Sequence, residues 1–259
     1  MKSKAAIIIG VFFVTSLLSL TFSAQSQEQK PQLFLVWEDI VYPSKAMDYE
    51  AALKMWVDFN TKYKFPHPVT VYRTNDYHYY TLLPIEKLAD IEDLEKYITE
   101  LGEEAGKEVQ ELQKGFAGTT ESTTAGTVLL RTDLSYMPEN PRVKSEDVSF
   151  IWWNYYYLKY GKEKEAEEIA KEWQALYKSN GITDSFQVYQ PTLWSDLPVL
   201  VAAGGALSAA DYYSHMEKNI EKMGDAYLAL AKKTMGACRR FEEKTGMILR
   251  DLSYIPQEK

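Results

Sequence analysis

The sequence predicts an α+β fold made of two ferredoxin-like β-α-β-β-α-β repeats, and a duplication within its 259 residues is the first observation behind that prediction. Asp133–Pro138 reads DLSYMP and returns 118 residues later as DLSYIP in Asp251–Pro256. Trp56 is followed by Trp173 at nearly the same distance, 117 residues. This repeat is far longer than the periods of solenoids and propellers, so we expect two small domains that pack as one pseudo-symmetric body.

The second observation is the order of hydrophobic patterns in the first copy. A continuous apolar run predicts a buried strand, apolar residues three and four apart predict a helix, and short runs joined by a polar turn predict a hairpin. A long helical stretch, which Gly102 and Gly106 interrupt, precedes a fourth strand. The predicted elements are strand 33–41, a helix from 47 to 59, strands 68–73 and 77–83, a helical stretch 91–115 and strand 126–136.

The third observation is that the second copy repeats this order. Its first helix ends at Asn180 and Gly181, where glycine favours a left-handed helix cap. Its long helical stretch is interrupted by Gly224 and Gly236. The predicted elements are strand 150–158, a helix from 166 to 176, strands 185–190 and 197–203, a helical stretch 209–244 and strand 247–254. A polar linker, 139–147, joins the first repeat, 27–138, to the second, 148–259.

A four-stranded antiparallel sheet with helices on one face leaves its other face open, and two such sheets packed face to face bury both open faces. In this order, with GKEKE at Gly161–Glu165 and a helix ending in WQALY at Trp173–Tyr177, the chain resembles the dimeric α/β-barrel superfamily in a tandem single-chain form. That superfamily includes the antibiotic-biosynthesis-monooxygenase-like and NIPSNAP-like families. The first copy departs from the pattern, with Pro43 where the glycine would stand.

The resemblance implies antiparallel four-stranded sheets packed as an intramolecular α/β barrel. Members of the superfamily bind or oxidise small molecules in the barrel, degrade haem or have no known activity, so the resemblance alone leaves the function open.

The first 26 residues predict a secretory signal peptide. Lys2 and Lys4 precede an apolar run from residue 5 to residue 22, and small residues at Ala24 and Ser26 allow cleavage. An uncleaved membrane anchor is the alternative, because about 18 apolar residues approach the roughly 20 that span a bilayer. We expect an exported protein, periplasmic or extracellular, with no stable membrane association after cleavage.

Composition and the absence of known motifs argue against disulfide-bonded, nucleic-acid-binding and several enzyme classes of protein. Cys238 is the only cysteine, so no intramolecular disulfide can form. Removing Lys2 and Lys4 with the signal leaves 27 basic and 37 acidic side chains, a net charge of −10, which argues against nucleic acid as a partner. HExxH, CxxC, Walker, GxGxxG and GxSxG motifs are absent, and Ala203–Ala206 (AGGA) is interpreted as a strand-to-helix turn. We predict no metal and no cofactor.

His78 lies near the start of a predicted strand, where alternation puts it on the same face as Tyr80. We interpret it as a strand-edge histidine exposed to water. If it faced the interior instead, it could carry protons or act as an axial haem ligand. The second copy has no imidazole at the corresponding place, so such chemistry would be confined to one half.

Aligning Phe34 with Phe150 makes Glu38 and Asn154 equivalent polar positions within apolar first strands. A buried carboxylate or amide is costly unless it has a partner. Both could lie in the barrel interior, where a desolvated Glu38 with a raised pKa could act as a base. Alternatively, each satisfies a neighbouring strand or lies at the barrel mouth.

The repeated DLSYxP motif is interpreted as structural. The aspartate or serine would hydrogen-bond the terminal turn, the tyrosine would pack over the barrel end and the proline would stop the strand.

Aromatic residues are concentrated on the predicted first strands. Alternation sends Trp152, Asn154 and Tyr156 to one face of the strand and the residues between them to the other, and one face must line the space between the sheets. An aromatic wall with a few polar groups suits a flat or apolar small ligand. The predicted ligand-binding residues are Trp37, Glu38, Tyr72, His78, Trp152, Asn154, Tyr156 and Tyr189, with Glu38 and His78 as the catalytic candidates.

These observations favour an exported protein that binds a small apolar or aromatic molecule between its two sheets. The first alternative, implied by the resemblance, is a cofactor-independent monooxygenase or a haem-binding enzyme that uses Glu38 or His78. The second is a non-catalytic structural or interaction protein with a fully packed barrel. The duplication also predicts that a monomer suffices to close the barrel.

Overall fold

The computed structural model describes residues 31–256, so the predicted signal peptide, 1–26, lies outside the described residues. The chain forms eight strands and six helices in these residues. The strands are β1 (Gln32–Val41), β2 (Thr70–Thr74), β3 (His78–Ile85), β4 (Thr120–Leu130), β5 (Phe150–Leu158), β6 (Gln187–Leu193), β7 (Val199–Ala206) and β8 (Cys238–Ile248). The helices are α1 (Ala46–Tyr63), α2 (Asp90–Ala105), α3 (Lys107–Phe116), α4 (Glu163–Ser179), α5 (Ala209–Met223) and α6 (Asp225–Ala237).

The eight strands form one closed antiparallel barrel in the order β1-β3-β2-β8-β5-β7-β6-β4. β1 to β4 come from the first half of the chain and β5 to β8 from the second. The halves join at two seams, where β2 pairs with β8 and β4 pairs with β6. The predicted α+β fold of two ferredoxin-like halves is therefore confirmed.

The closed sheet has two faces that differ in what covers them. One face of every strand points into the barrel, and the other lies beneath the helices of its own half. On β1, for example, Val36 lines the barrel interior and Trp37 packs under the helices. Apolar clusters beneath each helical layer hold the helices to the sheet.

The DLSYxP motif reaches across both seams. Ser135 Oγ accepts a hydrogen bond from the Val188 backbone N–H at 2.8 Å, and Ser253 Oγ accepts one from Val71 N–H at 3.0 Å. Each serine also donates to a backbone carbonyl four residues earlier. A segment of each half therefore completes the backbone hydrogen bonds of the other half.

The tyrosines of the motif also form hydrogen bonds to the opposite half. Tyr136 donates to the Ile182 carbonyl and Tyr254 to the Phe65 carbonyl, at 2.8 and 2.9 Å. Isolated bridges pair Tyr136 with Phe186, and Tyr254 with Val69. The structural interpretation of the motif is confirmed, and we refer to residues 131–136 and 249–254 as the two clasps.

The helices and last strands differ from prediction in their bounds. Gly106 and Gly224, with φ of +52° and +54°, end α2 and α5, whereas Gly102 and Gly236 lie within helices. β4 begins earlier than predicted, and β8 begins at Cys238, so the predicted helix extending to residue 244 is wrong. The run from 239 to 244 hides the strand, because five of its six residues are charged and only Phe241 is apolar, so the run lacks the apolar alternation typical of a strand.

The predicted turn at Ala203–Ala206 is also wrong, since these residues complete β7. A Cβ at Gly204 would come within 2.6 Å of the Trp152 ring on the neighbouring strand β5. Glycine is required there by the close approach of the indole. Among the described residues, no helix has the length and hydropathy to cross a membrane.

We predict that Ser253→Ala lowers the free energy of unfolding by about 1–3 kcal/mol, because the buried Val71 N–H loses its acceptor. Ser135→Ala should have a similar effect through Val188. Ser179→Ala is the matched control, since its hydroxyl bonds only its own helix end at an exposed site. Urea denaturation measures all three, and a Ser253→Ala variant as stable as Ser179→Ala would contradict the clasp.

Candidate functional site

Three partly open cavities of similar size lie in the fold of residues 31–256, and a fourth, shallower depression of about 660 Å³ lies around Arg250. The barrel cavity lies inside the closed sheet and measures about 380 Å³. The second-half cavity, also about 380 Å³, lies between the outer face of the sheet and α4 to α6. The first-half cavity, about 360 Å³, lies between the sheet and α1 to α3. Each falls in the size range of small-molecule sites.

The barrel cavity has an aromatic wall. Tyr72 meets Trp153 edge-on across the β2–β8 seam, with ring centroids 6.0 Å apart. The aromatic lining residues are Tyr72, Tyr80, Trp153, Tyr155, Tyr157, Tyr189 and Trp194. The linker between the halves covers one end, where Arg250 donates hydrogen bonds to the carbonyls of Ser145 and Val148.

Glu38 and His78 lie together at the other end of the barrel. Glu38 Oε1 accepts hydrogen bonds from His78 Nδ1 at 2.7 Å and from the Tyr80 hydroxyl at 2.6 Å. Asp76 lies beyond, 3.5 Å from His78 Nε2 and 2.5 Å from Lys244 Nζ. This cluster therefore brings two carboxylates together with a lysine and a histidine.

The cluster stabilises the ionised form of Glu38. Burial by itself would raise the pKa of this carboxyl, but the hydrogen bonds from His78 and Tyr80 and the charge of Lys244 hold the pKa below its ordinary value. Glu38 is therefore an ionised partner, and the raised pKa expected of a general base is not found. His78 is also not a water-exposed edge residue, because its side chain is only 19% exposed and faces inward.

The second-half cavity contains a polar atom without a partner. Asn154, on β5, points toward the helices, and its Oδ1 is buried with no hydrogen-bond partner. Its Nδ2 lies 3.5 Å from the Tyr156 hydroxyl, which is a weak contact. Burial raises the pKa of Tyr156, so that hydroxyl stays neutral. An acceptor in an apolar, enclosed site favours a ligand that donates a hydrogen bond.

Aromatic residues of the surrounding wall come from both layers. Trp152 and Tyr156 lie on β5, while Trp173, Tyr177 and Tyr212 come from the helices. The helical residues are absent from the predicted site. Their spacing along α4 and α5 marks one face of each helix, but that signal does not separate a cavity wall from a packed core.

A charged network holds the rim of this cavity. Arg142, from the linker, pairs with Asp184 at 2.7 Å and with Asp211 at 2.8 Å. His215 Nε2 lies 3.7 Å from Asp211, and the His215 side chain is 34% exposed, so it lies at the opening. The network ties α5 and the segment before β6 to the linker.

The predicted site residues divide between cavities. Glu38, Tyr72, His78 and Tyr189 belong to the barrel interior and its mouth, whereas Trp152, Asn154 and Tyr156 line the second-half cavity and Trp37 lines the first-half cavity. The structure therefore does not bring the eight residues into one site.

The expected equivalence of Glu38 and Asn154 is wrong by one residue. Glu38 pairs with Tyr80 and Thr124, and the same place in the second half is taken by Tyr155, which pairs with Val201 and Glu242. A shift of one residue reverses the face of a strand. The correct spacing is 117 residues, so Asn154 corresponds to Trp37.

We also tested whether the histidines fit a haem or metal. Both ring nitrogens of His78 face carboxylates, so His78 does not fit an axial haem ligand. Within residues 31–256, no group of three or more His, Cys, Asp or Glu side chains is placed to hold a metal ion.

The fold is similar to solved structures at low sequence identity. An anthrone oxidase-like protein matches with a TM-score of 0.62 and 12% identity, covering 90% of this chain and 96% of that chain. A candidate monooxygenase from Fusobacterium nucleatum subsp. nucleatum ATCC 25586 matches with a TM-score of 0.53 and 11% identity, covering 88% and 98%. Another, from Lactobacillus acidophilus NCFM, has a TM-score of 0.50 and 10% identity, covering 87% and 96%.

These matches confirm the dimeric α/β-barrel fold in a single chain. At such identities they show the fold alone. No family model matches the chain, and no curated protein matches it in sequence.

We predict that Glu38→Gln flattens the loss of stability in acid. Because the folded-state pKa of Glu38 is lowered, its contribution is present above the ordinary value of 4.5 and is lost as pH falls through the lower folded value. The difference in unfolding free energy between pH 6 and pH 3 should therefore be smaller in the variant. Glu121→Gln, exposed on β4, is the control. Equal pH dependence in wild type and Glu38→Gln would contradict the assignment.

Proposed function

We propose that the protein binds a flat, largely apolar molecule that carries one N–H or O–H donor, and that it does so in the second-half cavity. The observation that carries the proposal is the buried, unpartnered Oδ1 of Asn154 in an aromatic cavity of about 380 Å³. The amino-terminal segment supports an exported protein, in which this binding would take place outside the cytoplasm.

Energetics support this choice of ligand. A buried acceptor without a hydrogen bond costs about 1–3 kcal/mol, and a ligand that donates to it recovers that cost only when it is bound. Trp152, Tyr156 and Tyr212 offer aromatic surface on both sides of the amide, which favours a planar ring. The location differs from the one expected from sequence, since it lies outside the barrel rather than between the two sheets.

The cavities also weigh against a purely structural role. A fully packed interior leaves few voids larger than a water molecule, whereas the described residues line three partly open cavities of about 360–380 Å³. Concave, largely apolar cavities of this size suit ligand binding.

A second candidate is cofactor-independent oxidation of the bound molecule by dioxygen. The similar folds described as an anthrone oxidase-like protein and as candidate monooxygenases favour it. His215, paired with Asp211 at the opening, would accept the proton of a bound phenol. The ring would then reduce dioxygen, so that one oxygen atom becomes a new carbonyl and the other leaves as water. Phenol and one dioxygen give a quinone and one water.

We predict that the wild type binds indole, whose N–H is a donor and which offers no acceptor. Asn154→Leu should weaken indole binding about tenfold, equivalent to about 1.4 kcal/mol. It should leave 1-methylindole, which has no donor, within twofold of its wild-type affinity. Isothermal titration calorimetry measures both ligands, and Glu121→Gln is the control variant. An equal loss of affinity for the two ligands would show that Asn154 affects the shape of the cavity and not a hydrogen bond, and the proposed need for a donor on the ligand would then be wrong.

Oxidation is tested separately with 1-naphthol in an oxygen electrode. The second candidate predicts oxygen uptake and naphthoquinone in a one-to-one ratio with the wild type, and loss of uptake in His215→Asn with indole binding retained. No uptake above the rate without protein would leave binding as the function.

A further inference from the structure

The first-half cavity has the dimensions of a ligand site but a different chemistry from the second-half cavity. Its walls are the outer face of the sheet and one face each of α1, α2 and α3, and it measures about 360 Å³. Most lining side chains are apolar or aromatic, among them Trp37, Leu53, Trp56, Phe59, Leu94 and Phe116.

One polar side chain in that wall has an atom without a partner. Asn60, on α1, is 3% exposed, and its Nδ2 is buried with no hydrogen-bond partner. The main chain of Asn60 is fully used, since its carbonyl accepts from Phe65 N–H at 2.9 Å at the helix end. The side-chain amide is therefore not needed to terminate α1, and its donor remains unpaired in an apolar cavity.

Two other polar side chains of the wall, Asp39 and Tyr49, have partners. Asp39 accepts hydrogen bonds from the Tyr49 hydroxyl at 2.6 Å and from the Thr123 hydroxyl. Those bonds hold the carboxylate at the edge of the cavity. Nδ2 of Asn60 is the polar side-chain atom of this wall that is buried without a partner.

The two halves carry their cavity asparagines on different walls: Asn60 lies on a helix of the first half, and Asn154 lies on a strand of the second half. At the spacing of 117 residues that joins Trp56 to Trp173, Asn60 on the helix corresponds to Tyr177, and Asn154 on the strand corresponds to Trp37. At the helix position the first half has an asparagine and the second half an aromatic residue. At the strand position the arrangement is reversed.

We infer that the first-half cavity is a second binding site, for a flat apolar molecule that carries a hydrogen-bond acceptor, such as an aryl ketone or aryl ether. Asn60 Nδ2 donates to that acceptor, and Trp37 and Trp56 contact the ring system. The site is separate from the second-half cavity, which lies beneath the helices of the other half.

The test compares 2-acetylnaphthalene with 2-isopropylnaphthalene, which has nearly the same shape and no acceptor. We expect Asn60→Leu to weaken binding of the ketone about tenfold and to leave the hydrocarbon within twofold. Leucine has the same branching at Cγ as asparagine and a higher helix propensity, so α1 should persist. Asn154→Leu is the matched control from the other half and should leave the affinity for the ketone unchanged.

A second variant tests the location without touching Asn60. Gly102 lies within α2 on the wall of the cavity, and a Cβ there meets no atom within 4 Å. Gly102→Leu should fill the cavity and abolish ketone binding, while thermal unfolding shows equal or greater stability, because leucine replaces glycine inside a helix.

The inference is overturned if the wild type does not bind the ketone, if Gly102→Leu binds it normally, or if Asn154→Leu rather than Asn60→Leu weakens it. Indole binding, measured in the same Asn60 and Gly102 variants, should be unchanged. That measurement separates failure of this site from failure of the proposed second-half site.

Discussion

The reciprocal clasps are the interaction on which the rest of the structure depends. Ser135 of the first half completes the backbone of β6, and Ser253 of the second half completes the backbone of β2. Those two strands form the seams with β4 and β8, and without the seams each half would be an open four-stranded sheet with an exposed apolar face. The repeated DLSYxP motif thus both reveals the duplication in the sequence and hydrogen-bonds each half of the chain to the other.

Closure then determines where any ligand can bind. Each strand has a period of two, so a closed sheet sends alternate residues either into the barrel or beneath the helices. The barrel interior receives an ionised cluster around Glu38 whose hydrogen bonds are made within the protein. The helical layers receive Asn60 and Asn154, whose amides each leave one buried atom unpaired. Among residues 31–256, the two buried side-chain atoms without a hydrogen-bond partner therefore lie outside the barrel, one in each half.

The fold is predictable from sequence because its signals are local and repeated. Patterns of apolar residues identify most strands and helices, and the duplication supplies the second sheet. The site is harder to predict from sequence. Because successive strand residues point to opposite faces, an error of one residue in aligning the repeats assigns a residue to the wrong face, as for Glu38 and Asn154. The charged start of β8 also hides a strand. Helical wall residues such as Tyr177 and Tyr212 have the pattern of an ordinary core, and only the distance between layers distinguishes a cavity from packing.

The central claim is that a small aromatic donor binds beneath the helices of the second half and not between the sheets. A crystal structure of the protein soaked with indole tests it most directly. The account predicts density for indole in the second-half cavity, with its N–H within hydrogen-bond distance of Asn154 Oδ1. Density in the barrel cavity among Tyr72, Trp153 and Tyr189, with the second-half cavity empty, would contradict it.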